Sequence, residues 1–203
     1  MTVHALVLAG GQGSRLGQVR KDLIRFGGTS LLDRVIAQLP DFGTPIMVST
    51  AAMGQLSRHD CVAMPDLDLP IGGPLAGLIA AVDRLGNADP DDLIITVAVD
   101  TPFLPDDFAR RLIDAVGDRA SAAHAAWCGT IYPTNAVWRL SGIADLPARA
   151  RRGVVPKSPK ALLGTLDSVE VDWSDTHRED PFANLNTLED LVSLARRAQA
   201  QGK

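Results

Sequence analysis

The chain is poor in cysteine: Cys61 and Cys128 stand far apart among 203 residues and form no paired motif. That spacing predicts two reduced, half-buried thiols in a cytoplasmic protein. No apolar run reaches ~18 residues, so no membrane-spanning helix is expected. The opening "MTVHALVLAGG" lacks a basic stretch followed by a long apolar one, so it reads as a strand and not as a signal peptide. Positive charge is not in excess. The net charge of −4 argues against a nucleic-acid binder with a wholly basic surface, although a local cationic pocket is compatible with it. Linkers, repeats and low-complexity segments are lacking, so residues 1–203 are expected to form one domain.

What is present is ordinary for a soluble globular protein, 46% apolar and 22% charged. The segment "HALVLA" is almost wholly apolar, as a strand buried on both faces of a parallel sheet would be. "TSLLDRVIAQLP" puts Leu32, Val35, Ile36 and Leu39 on one helical face, with Thr29 or Ser30 as cap and Pro40 at the end. Strands are expected at "TPIMVST" and "CVAMP", and a second helix at "GPLAGLIAAVDRLG". "DLIITVAVD" is the strongest strand pattern. It stops at Asp100, before Thr101 and Pro102. "PDDFARRLIDAVG" predicts a helix with Pro105 in its first turn and Asp106 and Asp107 at its positive end. Beyond about residue 118, "AAHAAW", "PTNAVW" and "SVEVDW" read as strands, "PKSPKALLG" as a short helix and "NTLEDLVSLARRAQAQG" as a terminal helix. The alternation predicts an α/β fold: a Rossmann-like, doubly wound, mainly parallel sheet with helices on both faces in three layers.

Between the first strand and helix lies "LVLAGGQGSRLG", followed by Lys21. The dinucleotide fingerprint G-x-G-x-x-G fails, because Leu16 stands where its third glycine belongs. The pattern G-x-x-x-x-G-K-[ST] fails as well. Leu8, Ala9, Gly10 and Gly11 remain, then Arg15 and Lys21. Consecutive glycines let backbone N–H groups approach an anionic ligand closely, and the two cations suit phosphates. A plain tight turn with solvated cations is the alternative.

The segments "LAGGQGSRLG…K", "GGPLAGL", "VDTPFLP" and "FANLNTLEDL", in that order, resemble the molybdenum cofactor guanylyltransferases, within a wider nucleotidyltransferase group that also handles sugar phosphates. The resemblance spans nearly the whole chain. It implies a fold that binds GTP and Mg²⁺ and transfers GMP to the phosphate of molybdopterin, releasing pyrophosphate. It divides the chain into a nucleotide-binding half, 1–118, and an acceptor-binding half, 119–203. It also implies a cytoplasmic enzyme with no nucleic-acid or membrane partner, and contacts with proteins that deliver or accept the cofactor.

Asp100 stands at the carboxyl end of a strand, where open α/β sheets bind ligands. One carboxylate suits Mg²⁺, which keeps phosphates and waters as its other ligands. The resemblance makes Asp100 the metal ligand. Lys21 and Arg15 would neutralise charge on the triphosphate. Leu8, Ala9, Gly10 and Gly11 would contact the nucleotide through the backbone. Asp66, in "MPDLD", matches a nucleotide-contacting aspartate; its carboxylate could accept from guanine N–H groups or from ribose hydroxyls, or belong to a plain turn. Asn184 and Asn186 match family asparagines near the reacting phosphates. The attacking phosphate, with a second pKa of about 6, is already mostly dianionic. No base is therefore required of His4, His59, His124 or His177.

Two positions depart from the family pattern. Arg20 replaces the aspartate usual before the lysine, and Ser49 stands where the family tends to place an asparagine beside the nucleotide. The run Arg149, Arg151, Arg152, Lys157, Lys160 contains no acid, and reads as an anion site, a loop over one, or a solvated charged loop. Two other functions fit parts of this pattern: transfer of another nucleotide, such as CMP, or to another acceptor, such as a sugar phosphate; and nucleotide binding without turnover.

Overall fold

The computed structural model describes residues 1–9, 12–13, 19–20, 24–26, 28–50, 60–185 and 190, with only the backbone at 12, 13, 19, 20 and 26. In chain order the elements are β1 (Val3–Leu8), β2 (Gln12–Gly13), β3 (Val19–Arg20), β4 (Arg25–Phe26), β5 (Thr29–Ser30), α1 (Leu31–Ala37), β6 (Ile46–Thr50), β7 (Cys61–Pro65), α2 (Pro74–Arg84) and β8 (Leu93–Ala98). Then come α3 (Phe108–Val116), β9 (Ala122–Trp127), β10 (Thr130–Arg139), α4 (Leu140–Ile143), α5 (Leu146–Arg151), α6 (Pro159–Leu163) and β11 (Ser168–Asp172).

Seven strands form one sheet in the order β11-β9-β10-β8-β1-β6-β7. All but β10 run in the same direction. β10 is reversed because a tight turn at Cys128 and Gly129, with φ of 47° and 78°, folds it back along β9. Turns with two positive φ values match the twist of a paired hairpin. β8 is buried along its whole length, as its apolar run predicts, and lies between β1 and β10.

Alternate residues of the strands supply two cores. Ala5 and Val7 of β1 join α1 and α3 on one face. Leu6 and Leu8 join α2, α4, α5 and α6 on the other. The expected three layers follow from this period of two. Ser30 caps α1, its hydroxyl accepting from the Asp33 N–H at 3.1 Å. α3 begins at Phe108, later than its sequence suggests. Residues 105–107 form the preceding turn, closed by the Phe108 N–H on the Pro105 carbonyl. Of the terminal helix expected from Asn186 onward, only Asp190 is among the described residues, and it is helical. Cys61 is half-buried and Cys128 exposed. No helix among the described residues is long and apolar enough to cross a membrane.

Candidate active site

Parallel strands deliver their following residues to one edge of a sheet, and here four adjacent strands do so. Leu8 pairs with Ser49 of β6 on one side and Ala98 of β8 on the other. Thr50 pairs with Pro65 of β7. The ladder continues past β1: the Ala9 N–H donates to the Ser49 carbonyl and the Val99 N–H to the Leu8 carbonyl, each at 3.2 Å. Asp66 therefore follows β7, Ser49 sits near the end of β6, Ala9 follows β1, and Asp100 lies just beyond β8. From β1 the chain proceeds outward through β6 and β7, then returns to lay β8 on the other side of β1. Open α/β sheets bind ligands outside the carboxyl ends of their strands at such a reversal, here between β1 and β8.

At one end of this row, Asp66 is half-buried. Burial pushes its carboxyl above the usual carboxylate range, and the Ser49 hydroxyl partly offsets the rise. Its Oδ1 is sealed from water and has no partner among the described residues. The hydroxyl of buried Thr50, at the end of β6, likewise has no partner among the described residues. Buried acceptors without donors are costly unless a ligand satisfies them. α2 lies hard against this wall. A Cβ at Gly77 would fall 2.4 Å from Ser49 Oγ, so only glycine lets the helix and β6 meet at this separation. This gives "GPLAGL" its physical reason.

At the other end, half-buried Asp100 accepts the Leu185 N–H on its carbonyl at 3.0 Å. This brings exposed Asn184 beside it. The segment carrying Asn184 is anchored by Phe182, wholly buried, whose ring centroid lies 5.1 Å from that of Tyr132, 5.2 Å from that of Trp173 and 6.0 Å from that of Phe108. Tyr132 donates to Asp180 at 2.6 Å, and burial together with that carboxylate raises the phenol above its ordinary range. Residues 12–13 and 19–20 pair antiparallel, with Gln12 opposite Arg20. Gly10, Gly11, Arg15, Lys21 and Asn186 lie outside the described residues.

One carboxylate near a strand end fits a small divalent cation that takes most of its ligands from phosphates and water. No group of three or more metal-ligating side chains occurs among the described residues.

The family model for the MobA-like NTP transferase domain matches residues 5–167. The chain belongs to this family. Within it, the molybdenum cofactor guanylyltransferase of Rhodobacter capsulatus is 34% identical over 198 residues, covering 95% of this chain and 94% of that protein. The enzyme of the same description from Sinorhizobium fredii is 36% identical over 197 residues, covering 92% and 88%. The crystal structure of molybdopterin-guanine dinucleotide biosynthesis protein A from Archaeoglobus fulgidus superposes with a TM-score of 0.75 at 21% identity, over 98% of this chain and 100% of that one. The Francisella tularensis 2-C-methyl-D-erythritol 4-phosphate cytidylyltransferase gives 0.70 at 13%, over 97% and 100%. Both structural likenesses show the Rossmann-like nucleotidyltransferase fold.

Of the basic run from Arg149 to Lys160, two members are engaged away from Asp100. Arg149 and Arg151 lie on α5, which the sequence pattern did not reveal. Arg151 donates to Asp83 at 2.7 Å, and Arg149 lies 3.6 Å from Asp145. Asp83 is near the end of α2, which runs back from the carboxyl edge. The strand that leads to α5 also ends at the far edge, Arg139 opposite Leu93 at the start of β8. Arg149 is thus partnered within its own helical turn, and Arg151 by an acid distant in sequence at the opposite side of the sheet. Two residues near Asp100 carry no motif signal. Asn135, fully buried, accepts the Ala98 N–H at 2.9 Å. Gln38 binds the loop beyond Pro102. For Asn135 the available cue was a lone amide just before the apolar run of Ala136, Val137 and Trp138.

Proposed function

We propose that this family member transfers GMP from GTP to the terminal phosphate of molybdopterin, forming molybdopterin guanine dinucleotide and releasing pyrophosphate. The carrying observation is the row Asp66, Ser49, Ala9, Asp100 along one sheet edge, in a chain at least 30% identical over nearly its full length to proteins described as molybdenum cofactor guanylyltransferases. Three inter-strand spacings separate the outer members, roughly 14 Å. That span suits a nucleotide lying across the edge, with base or ribose at Asp66 and phosphates at Asp100.

In this reading the unpartnered Oδ1 of Asp66 accepts from the guanine N–H groups or the ribose, and Ser49 orients the carboxylate. Gly10 and Gly11 bring backbone N–H groups to the nucleotide. Asp100 holds Mg²⁺, which supplies charge neutralisation to the triphosphate when bound. Lys21 and Arg15 stabilise the charge that grows on the departing pyrophosphate. Asn184 and Asn186 orient the reacting phosphates. An oxygen of the acceptor phosphate forms a bond to the α-phosphorus of GTP, and the bond from that phosphorus to the bridging oxygen breaks. No proton need be abstracted, because a phosphate monoester with a second pKa of about 6 is largely dianionic at neutral pH. Positioning and charge stabilisation carry the rate.

A panel of the four nucleoside triphosphates, with molybdopterin as acceptor and pyrophosphate release as readout, tests this. GTP should be preferred, and Lys21→Ala should lower turnover at least about tenfold, equivalent to roughly 1.4 kcal/mol. Preference for CTP would reassign the base. Absence of release with every nucleotide would refute transfer.

A further inference from the structure

The loop that carries Asp100 is irregular yet buried from Thr101 to Pro105. Buried backbone polar groups outside helices and sheets must find partners elsewhere. Thr101 serves part of this need itself, its hydroxyl donating to the Ala98 carbonyl at 2.7 Å. One side chain, distant in sequence, meets two more of these groups. Gln38, at the carboxyl end of α1, donates from Nε2 to the Pro102 carbonyl at 2.7 Å and accepts the Leu104 N–H on Oε1 at 2.9 Å. A single planar amide thus bridges both sides of Phe103 and fixes the path of the chain leaving Asp100. On the other flank, Asn135 Oδ1 accepts the Ala98 N–H at 2.9 Å and faces the Thr101 hydroxyl at 3.4 Å. Asp100 lies between these two points of attachment.

We infer that Gln38 is a positioning residue for the Asp100 carboxylate, and that its amide sets the affinity of that carboxylate for a divalent ion bound with the nucleotide. The inference rests on the reading of Asp100 given above. Gln38 touches neither nucleotide nor ion in this account; it acts through the loop. The carboxylate must meet an ion and a triphosphate in a narrow range of geometry, and residues that hold a ligand in place control metal affinity nearly as strongly as the ligand does. A merely structural Gln38 would lower stability and leave ion affinity alone. Gln38 is half-buried at a helix end, where replacement leaves the core intact.

The test uses the full chain with a non-hydrolysable GTP analogue and Mn²⁺ as the spectroscopic probe, its binding followed by electron paramagnetic resonance. Gln38→Met preserves length and apolar stem but forms neither hydrogen bond. It should weaken Mn²⁺ binding to the protein–analogue complex about tenfold, while analogue affinity without divalent ion stays within about twofold of wild type. Gln38→Glu keeps the acceptor for Leu104 and loses the donor to Pro102, so it should give a smaller loss, and it carries the test should the methionine variant fail to fold. Asp100→Ala, run alongside, should abolish the tight Mn²⁺ site. If that site survives in Asp100→Ala, the reading of Asp100 falls and the inference with it. If Asp100→Ala abolishes it but both Gln38 variants bind Mn²⁺ as wild type does, only the role of Gln38 is overturned.

Discussion

Replacing Gly77 with alanine adds one methyl group where α2 crosses β6. That carbon would lie 2.4 Å from Ser49 Oγ, 2.7 Å from Ser49 Cβ and 3.2 Å from Leu8 Cδ2. The hydroxyl can rotate away, but Cβ is bonded to the β6 backbone and cannot. Ordinary carbon contacts lie near 3.5–4.0 Å, so α2 must retreat by about 1 Å. The retreat is resisted by the buried face of α2, including Leu75, Leu78, Ile79 and Val82. Overpacking of this kind costs about 1–3 kcal/mol, and the better helix propensity of alanine returns up to about 1 kcal/mol. The expected net loss is about 1–2 kcal/mol, or roughly 2–8 °C in Tm for a chain of this size. Urea denaturation and calorimetry measure it. A displaced Ser49 also leaves Asp66 without its hydroxyl partner, so GTP affinity should fall in the same variant. Adding Ser49→Gly removes both offending atoms, and a double-mutant cycle should then show a favourable coupling of about 1 kcal/mol. An alanine variant as stable as wild type, with no coupling to position 49, would refute the close approach of helix and strand.

Other expectations follow from the charges. Arg151→Glu should leave GTP and molybdopterin affinities unchanged and cost only about 0.2–1 kcal/mol of stability by urea denaturation, because its pairing with Asp83 is largely exposed and lies away from the site; selective loss of pterin binding would return the basic run to the acceptor site. Asp66 has a folded-state pKa above its ordinary value, so its contribution to stability is fully present below about pH 3.8 and is lost as pH rises through the folded pKa. Asp66→Asn should therefore be more stable than wild type at pH 7, the difference vanishing in acid, while nucleotide affinity drops; pH-dependent melting and a binding titration check both. Burial holds the His124 imidazole below its ordinary pKa, only partly offset by Glu170. Its stability contribution is present above about pH 6.5 and is lost as pH falls through the folded value. His124→Gln should flatten that part of the stability profile, measured by chemical denaturation from pH 7.5 to 5.

The stretch that was easiest to read, "IITVAV", is also the most deeply placed, since a strand covered on both faces has no polar alternation to obscure it. α1 and α2 were legible from their apolar spacing and α1 from its cap. α4 and α5 were not, being only 4 and 6 residues long, too brief for a helical period to emerge. Asp100 stood out at the end of a recognisable strand, and Asp66 only through the family resemblance. Gln38 could not, because its partners stand 64 and 66 residues away and nothing local marks an amide that binds backbone.

The order of residues along the chain was enough to determine which segments are strands, which faces of the helices are apolar, and where the family's motifs fall, because these depend on spacings of two to four residues. The tertiary structure decided the rest: that β10 runs against its neighbours, that Arg151 meets Asp83 away from the site, that Gly77 is the only residue small enough beneath Ser49, and that one glutamine spans the loop of Asp100. Apart from the local turn that reverses β10, each of these is a meeting of segments far apart in sequence. Such meetings are settled by how layers pack and by which buried polar groups still need partners, and no local pattern carries that information.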